Sequence, residues 1–173
     1  MEQKRLYQFS WDMLGDLQLG RPNLGPTTRL EVYRLMLFSF RDVMEQNLGT
    51  AETDRIFYEA GRMAGTHMYE HLIGNPETLN DFVAQVQKVL LDLGVGILRV
   101  EQADPEKGEF MLTVSEDIDC SGLPESDLEI CVYDEGLISA LLENFTGKKF
   151  RVKEIDCWCS GDRTCRFKAV EEK

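Results

Sequence analysis

Four of the five cysteines fall in the last 43 residues of the chain, at Cys131, Cys157, Cys159 and Cys165. Thiolate is a soft ligand that favours zinc among the abundant divalent ions, and four protein ligands closing a tetrahedron leave no position for a substrate. Such a site is structural and adds directly to folding stability. The spacing Cys-x-Cys-x5-Cys is not one of the common zinc-finger patterns, and the alternative is a set of buried free thiols behaving as small hydrophobes. An odd, unevenly placed set of cysteines does not resemble the disulfide framework of a small secreted domain. The two histidines, His67 and His71, stand one helical turn apart, a geometry that can chelate a metal or place an acid–base group. They lack the intervening glutamate position of His-Glu-x-x-His. His67 falls on an apolar helix face and is the candidate polar anchor of a pocket, while His71 reads as a surface residue.

The elements that must position these groups follow from periodicity. Residues 1–27 form a lead-in broken by Gly20, Pro22, Gly25 and Pro26, in which Tyr7, Phe9 and Trp11 alternate as in a short strand. Thr28 and Glu31 have capping-box spacing and open a helix to about Leu48, apolar on nearly every side between Val32 and Phe40 and therefore expected to be central and buried. A second helix spans 51–72 and carries a smooth strip of Ala60, Gly61, Ala64 and Gly65, against which another backbone can approach closely. A third follows Gly74-Asn75-Pro76 and runs to about Leu93, with Leu79, Phe82, Val86 and Leu90 on one stripe. The period then changes to two: strands at 95–102 and 109–115 form a hairpin, a helix ends near Gly147, and strands at 149–157 and 164–170 form a second hairpin. The fold class is α+β, an antiparallel sheet packed against a helical layer. The chain reads as one domain, 1–173, divided into the lead-in 1–27, the helices 28–93, and the sheet, helix and cysteine hairpin 94–173.

Bulk properties narrow the function. Of 173 residues, 43% are hydrophobic and 29% charged, enough for a substantial core. The net charge is −12, and residues 99–144 hold thirteen acids against Arg99 and Lys107, which reads as a solvated face. Nucleic acid is not an expected partner, because no lysine and arginine cluster is present to displace phosphate counterions. No run of about 18 apolar residues occurs and the first fourteen residues mix charge with polar groups, so a cytoplasmic protein that does not enter the membrane is expected.

The residues Cys131, Gly136, Gly147, Glu154, Cys157, Gly161-Asp162, Cys165 and Phe167 resemble the pattern of 4-vinyl-reductase domains. That family includes a protein implicated in reducing a vinyl group of bacteriochlorophyll precursors and the sensory domains of phenol- and xylene-responsive activators, and its fold is similar to that of TRAPP small subunits. The resemblance implies zinc held by Cys131, Glu154, Cys157 and Cys165. In an ideal strand Glu154 and Cys157 face opposite ways, so either a bulge or strand end turns Glu154 inward, or Cys159 is the fourth ligand.

The resemblance further implies a pocket for a small apolar molecule between helices and sheet, for which Tyr33, Phe40, Met63, His67, Phe82 and Phe110 are candidates, although such side chains also serve as core filler. Phenol sensors of the family anchor a hydroxyl with polar groups where Phe82 and Phe110 stand here, so a more apolar ligand is expected. The reading that follows is a sensor domain, a homodimer reporting to a separate protein partner. Its alternatives are an assembly adaptor of the TRAPP-subunit type or a vinyl reductase or reductase subunit. Against autonomous reduction stands Gly94-Val95-Gly96, which lacks a third glycine and precedes a strand where a nucleotide-binding turn opens a helix.

Overall fold

The computed structural model describes residues 5–126, 128 and 130–172. Two of the acids counted above, Asp127 and Glu129, lie outside the described residues, as do residues 1–4 of the lead-in and Lys173. The chain builds α1 (Leu17–Gly20), α2 (Leu30–Leu48), α3 (Thr50–Leu72), α4 (Leu79–Asp92), β1 (Ile97–Asp104), β2 (Glu109–Ser115), α5 (Val132–Thr146), β3 (Phe150–Asp156) and β4 (Cys165–Glu171). The strands form an antiparallel sheet in the order β1-β2-β4-β3, so the two hairpins join through β2 and β4. The α+β class read from the sequence is the class observed.

Helix α4 starts where Thr78 accepts from the amide of Asp81 at 3.1 Å, and buries Phe82, Val86 and Leu90 as a single stripe. The central helix is α5. Its residues 134–142 are all buried, and it packs between α3 and the sheet. The smooth strip on α3 has the role expected of it: a Cβ added to Gly61 would stand 2.0 Å from the carbonyl oxygen of Tyr133, and one added to Gly136 on α5 would stand 2.0 Å from that of Tyr58. The helices cross at a distance that only glycine permits.

Three expectations are corrected. Helix α2 is neither central nor buried. None of its residues is fully covered, and Leu35, Met36 and Phe40 are more than half exposed. Apolar composition requires burial against something, and one copy of this chain does not supply it. The capping box at its start is also absent: the N-cap is Arg29 and no side chain caps the helix. In the lead-in, residues 11–14 form a 3-10 turn where a strand was expected, with Phe9 edge-on to His67 and Trp11 stacked on His71 at 4.6 Å. Here the alternating aromatics pack on the histidines of α3, and no strand partner is needed.

Candidate functional site

Four segments converge at one end of the sheet. Hairpin β3–β4 brings Cys157, just past β3, beside Cys165, the first residue of β4. Cys165 pairs with Val114 near the end of β2, so the loop leaving β2 turns back over it and delivers Cys120. Cys131 is the N-cap of α5, where the positive end of the helix dipole favours an anionic sulfur. The four Sγ atoms lie within 4.8 Å of one another and all four residues are buried. Cys131 is 3.9 Å from Cys157 and 3.7 Å from Cys165, and Cys120 is 3.0 Å from Cys165. A tetrahedron with zinc–sulfur bonds of about 2.3 Å has edges of about 3.8 Å, so the cluster can close on a metal ion with small adjustments.

A bulge between Glu154 and Asp156 decides the parity question raised by the strand. It turns Glu154 inward together with Cys157, and leaves Ile155 half exposed. Neither carboxylate oxygen of Glu154 has a hydrogen-bond partner, and burial together with the neighbouring Cys157 charge pushes its pKa up to about 8. Cys159 is also buried, but its 3-10 turn holds it outside the set of four sulfurs, and burial raises its thiol to about 12. Cys157 is the thiolate of the metal-free cluster. Cys120, Cys131 and Cys165 bond to its sulfur and hold its pKa far down, while Cys131, hydrogen-bonded to Cys120, Cys157 and Cys165, is held up. The amide of Ser160 also donates to Cys157 Sγ.

The sequence reading missed Cys120 and the acids around it. Asp117 Oδ1 accepts from the amides of Asp119 at 2.8 Å and Cys120 at 3.2 Å, shaping the turn that presents the thiol. Asp117, Asp119, Asp134 and Glu135 are buried, which corrects the reading of residues 99–144 as a solvated face. Burial, followed by the charge of Asp117, raises the carboxyl of Asp134 well above its usual range and that of Asp119 to about 6. Tyr33 Oη donates to Asp119 Oδ1 at 2.7 Å, and its own pKa rises through burial and that carboxylate. The available signal was Asp117-x-Asp119-Cys120 directly after a strand, in a chain whose other cysteines already formed a set.

The six pocket candidates fall in different places. Phe82 and Phe110 line an apolar cavity of about 40 Å³ between α4, the β1–β2 hairpin and α5. Phe40 lines a groove of about 380 Å³ between α2 and α3, and Met63 and His67 line one of about 500 Å³ between α3 and the lead-in. Tyr33 is bound to Asp119 and lines none of the three.

Comparison with known proteins bears on the cysteine segment. Residues 110–171 match the 4-vinyl-reductase domain. This 4-vinyl-reductase segment holds Cys131, Glu154, Cys157 and Cys165 and begins at Phe110, and helices α2 to α4 precede it. An uncharacterised protein of Methanocaldococcus jannaschii is 26% identical over 121 residues, 69% of this chain and 66% of its own length, so the match spans just under two thirds of that relative. The phenol-responsive sensory domain of the transcription activator PoxR, solved with phenol, superposes with a TM-score of 0.65 at 13% identity over 83% of this chain and 75% of that one. A vinyl-4-reductase family protein of M. jannaschii gives 0.58 at 16% identity over 85% and 83%. A trafficking protein particle complex subunit 3 from Naegleria fowleri, covalently bound to palmitic acid, gives 0.66 at 13% over 83% and 95%. At these identities the likeness is one of fold. It extends the family resemblance from the matched segment to the helices before it.

Proposed function

We propose that the protein is a sensor domain that binds a small, uniformly apolar molecule, carries a structural zinc and acts as a homodimer reporting to a separate protein. The observation that carries this reading is the cavity between α4, α5 and the β1–β2 hairpin, whose lining, including Phe82, Val86, Phe110, Leu112, Ile138 and Leu141, has no polar side chain. A cavity of about 40 Å³ is small beside the roughly 150 Å³ in which an engineered protein core holds benzene, so a ring or alkyl chain enters with an outward shift of α4. Zinc is held in this reading by Cys131, Cys157 and Cys165, with the fourth ligand among Glu154, Cys159 and Cys120. Zinc supplies no reaction there. It ties the N-terminus of α5, the β3–β4 hairpin and the loop after β2 together. The whole chain acts as one ligand-binding domain.

Among the described residues no helix is long and apolar enough to cross a membrane. The free cysteines suit a reducing compartment, and we place the protein in the cytoplasm. A second reading, an assembly adaptor like the tethering subunit, is favoured by one observation, the exposed apolar stripe of α2. Native mass spectrometry of the purified protein, read with elemental analysis, separates the two. One zinc per chain and an extractable apolar adduct are expected. Zinc without an adduct, in protein that also takes up neither toluene nor palmitate, would overturn the sensor reading in favour of the adaptor.

A further inference from the structure

The buried carboxylate of Glu154 and the buried thiol of Cys120 compete for one coordination position, and the structure favours the thiol. Its sulfur lies 3.0 Å from Cys165, within the mutual 4.8 Å of the four-sulfur set, and Cys120 is fully buried. A thiolate is the softer donor for a site already made of thiolates. The loop that carries it is also built for the purpose: Asp117 binds the amides of Asp119 and Cys120, so the turn is set before any metal arrives.

The same loop is what α2 is fastened to. Arg34 Nε donates to the carbonyl of Ile118 at 2.8 Å, and its Nη2 to those of Asp117 at 3.4 Å and Ser121 at 2.9 Å. Tyr33 donates to Asp119. Residues 117–121 are thus gripped from one side by α2, and their thiol points from the other side into the cysteine cluster.

We propose that Cys120 is the fourth zinc ligand, leaving Glu154 uncoordinated, and that through it the metal fixes loop 117–121 and with it the seat of α2. This rests on the reading that zinc occupies the cluster. It makes metal occupancy a condition for presenting the exposed apolar face of α2 in one orientation, because Tyr33 and Arg34 hold that helix through the loop.

Two measurements test it. X-ray absorption at the zinc edge of the wild-type protein should give a single shell of four sulfurs at about 2.3 Å; three sulfurs and one oxygen near 2.0 Å would overturn the assignment. In the cobalt-substituted protein, Cys120→Ser should lower the sulfur-to-cobalt charge-transfer absorbance by about a quarter, one thiolate of four, and speed amide exchange in α2 around Tyr33 and Arg34. Glu154→Gln should leave both unchanged. A Cys120→Ser spectrum equal to wild type, with Glu154→Gln altering it, would overturn the proposal while leaving a zinc site in place. Wild-type protein that takes up neither metal would overturn the zinc reading itself.

Discussion

A buried cluster of thiols and carboxyls is a costly assembly without a cation, since each charge it carries has left water. Cys157→Ser removes the residue that already carries the negative charge, so we expect the variant to lose zinc and to melt roughly 10 °C or more below the wild type, read by elemental analysis and calorimetry. The acids beside the cluster give the metal-free protein an inverted pH response. Asp119 has a folded pKa of about 6 against 3.8 unfolded, so the folded state holds the proton more tightly between those values. Its contribution is fully present below about pH 4 and is lost as pH rises through 6. The urea midpoint of EDTA-treated protein should therefore be higher at pH 5 than at pH 7.5, by on the order of 1–3 kcal/mol in stability, and Asp119→Asn should flatten the difference. An unchanged slope in that variant would assign the effect to other groups. Three of the four clustered sulfurs were legible because strand spacing and the resemblance place Cys131, Cys157 and Cys165 together. Cys120 was not, because the loop's return over β4, 45 residues away in sequence, leaves no mark in local periodicity.

Helix packing is decided by backbone separation, and here the sequence spoke clearly on one side of the contact only. Ala60, Gly61, Ala64 and Gly65 announced a close approach to α3, but the partner was identifiable only once α5 was seen to lay Gly136 against Tyr58. Gly61→Ala pushes a methyl group into the Tyr133 carbonyl, an atom of helical backbone that cannot swing aside. We expect a loss of roughly 3 kcal/mol or more by chemical denaturation. Gly74→Ala, whose Cβ would meet only the side-chain oxygen of Gln85 at 3.6 Å, should change stability far less. Equal effects at both sites would mean that helix separation is not what limits substitution at Gly61. The hairpins were readable because alternation is a local property. The burial of α2 was misread for the opposite reason: composition states that a face must be covered, and says nothing of what covers it.

For the whole molecule, that uncovered face is the dominant surface feature. Val32, Leu35, Met36, Phe40 and Val43 recur at helical spacing along α2 and are each more than half exposed. Met36 and Phe40 border the groove that continues onto α3 through Phe57 and Ala60. Covering this stripe with the same stripe of a second copy satisfies both at once, the self-complementary arrangement of a two-fold dimer. Phe40→Glu should leave the monomer folded, since Phe40 contributes little to the interior, but should convert a dimer to a monomer by sedimentation equilibrium and abolish the rise of melting temperature with protein concentration. The charge sharpens the test. Each copy carries −12, so two copies repel at long range, and an association driven by the apolar stripe has to strengthen as salt screens that repulsion. A dimer that weakened with salt would instead be held by ion pairs elsewhere on the surface. A wild-type monomer at every concentration would leave the stripe to a different chain.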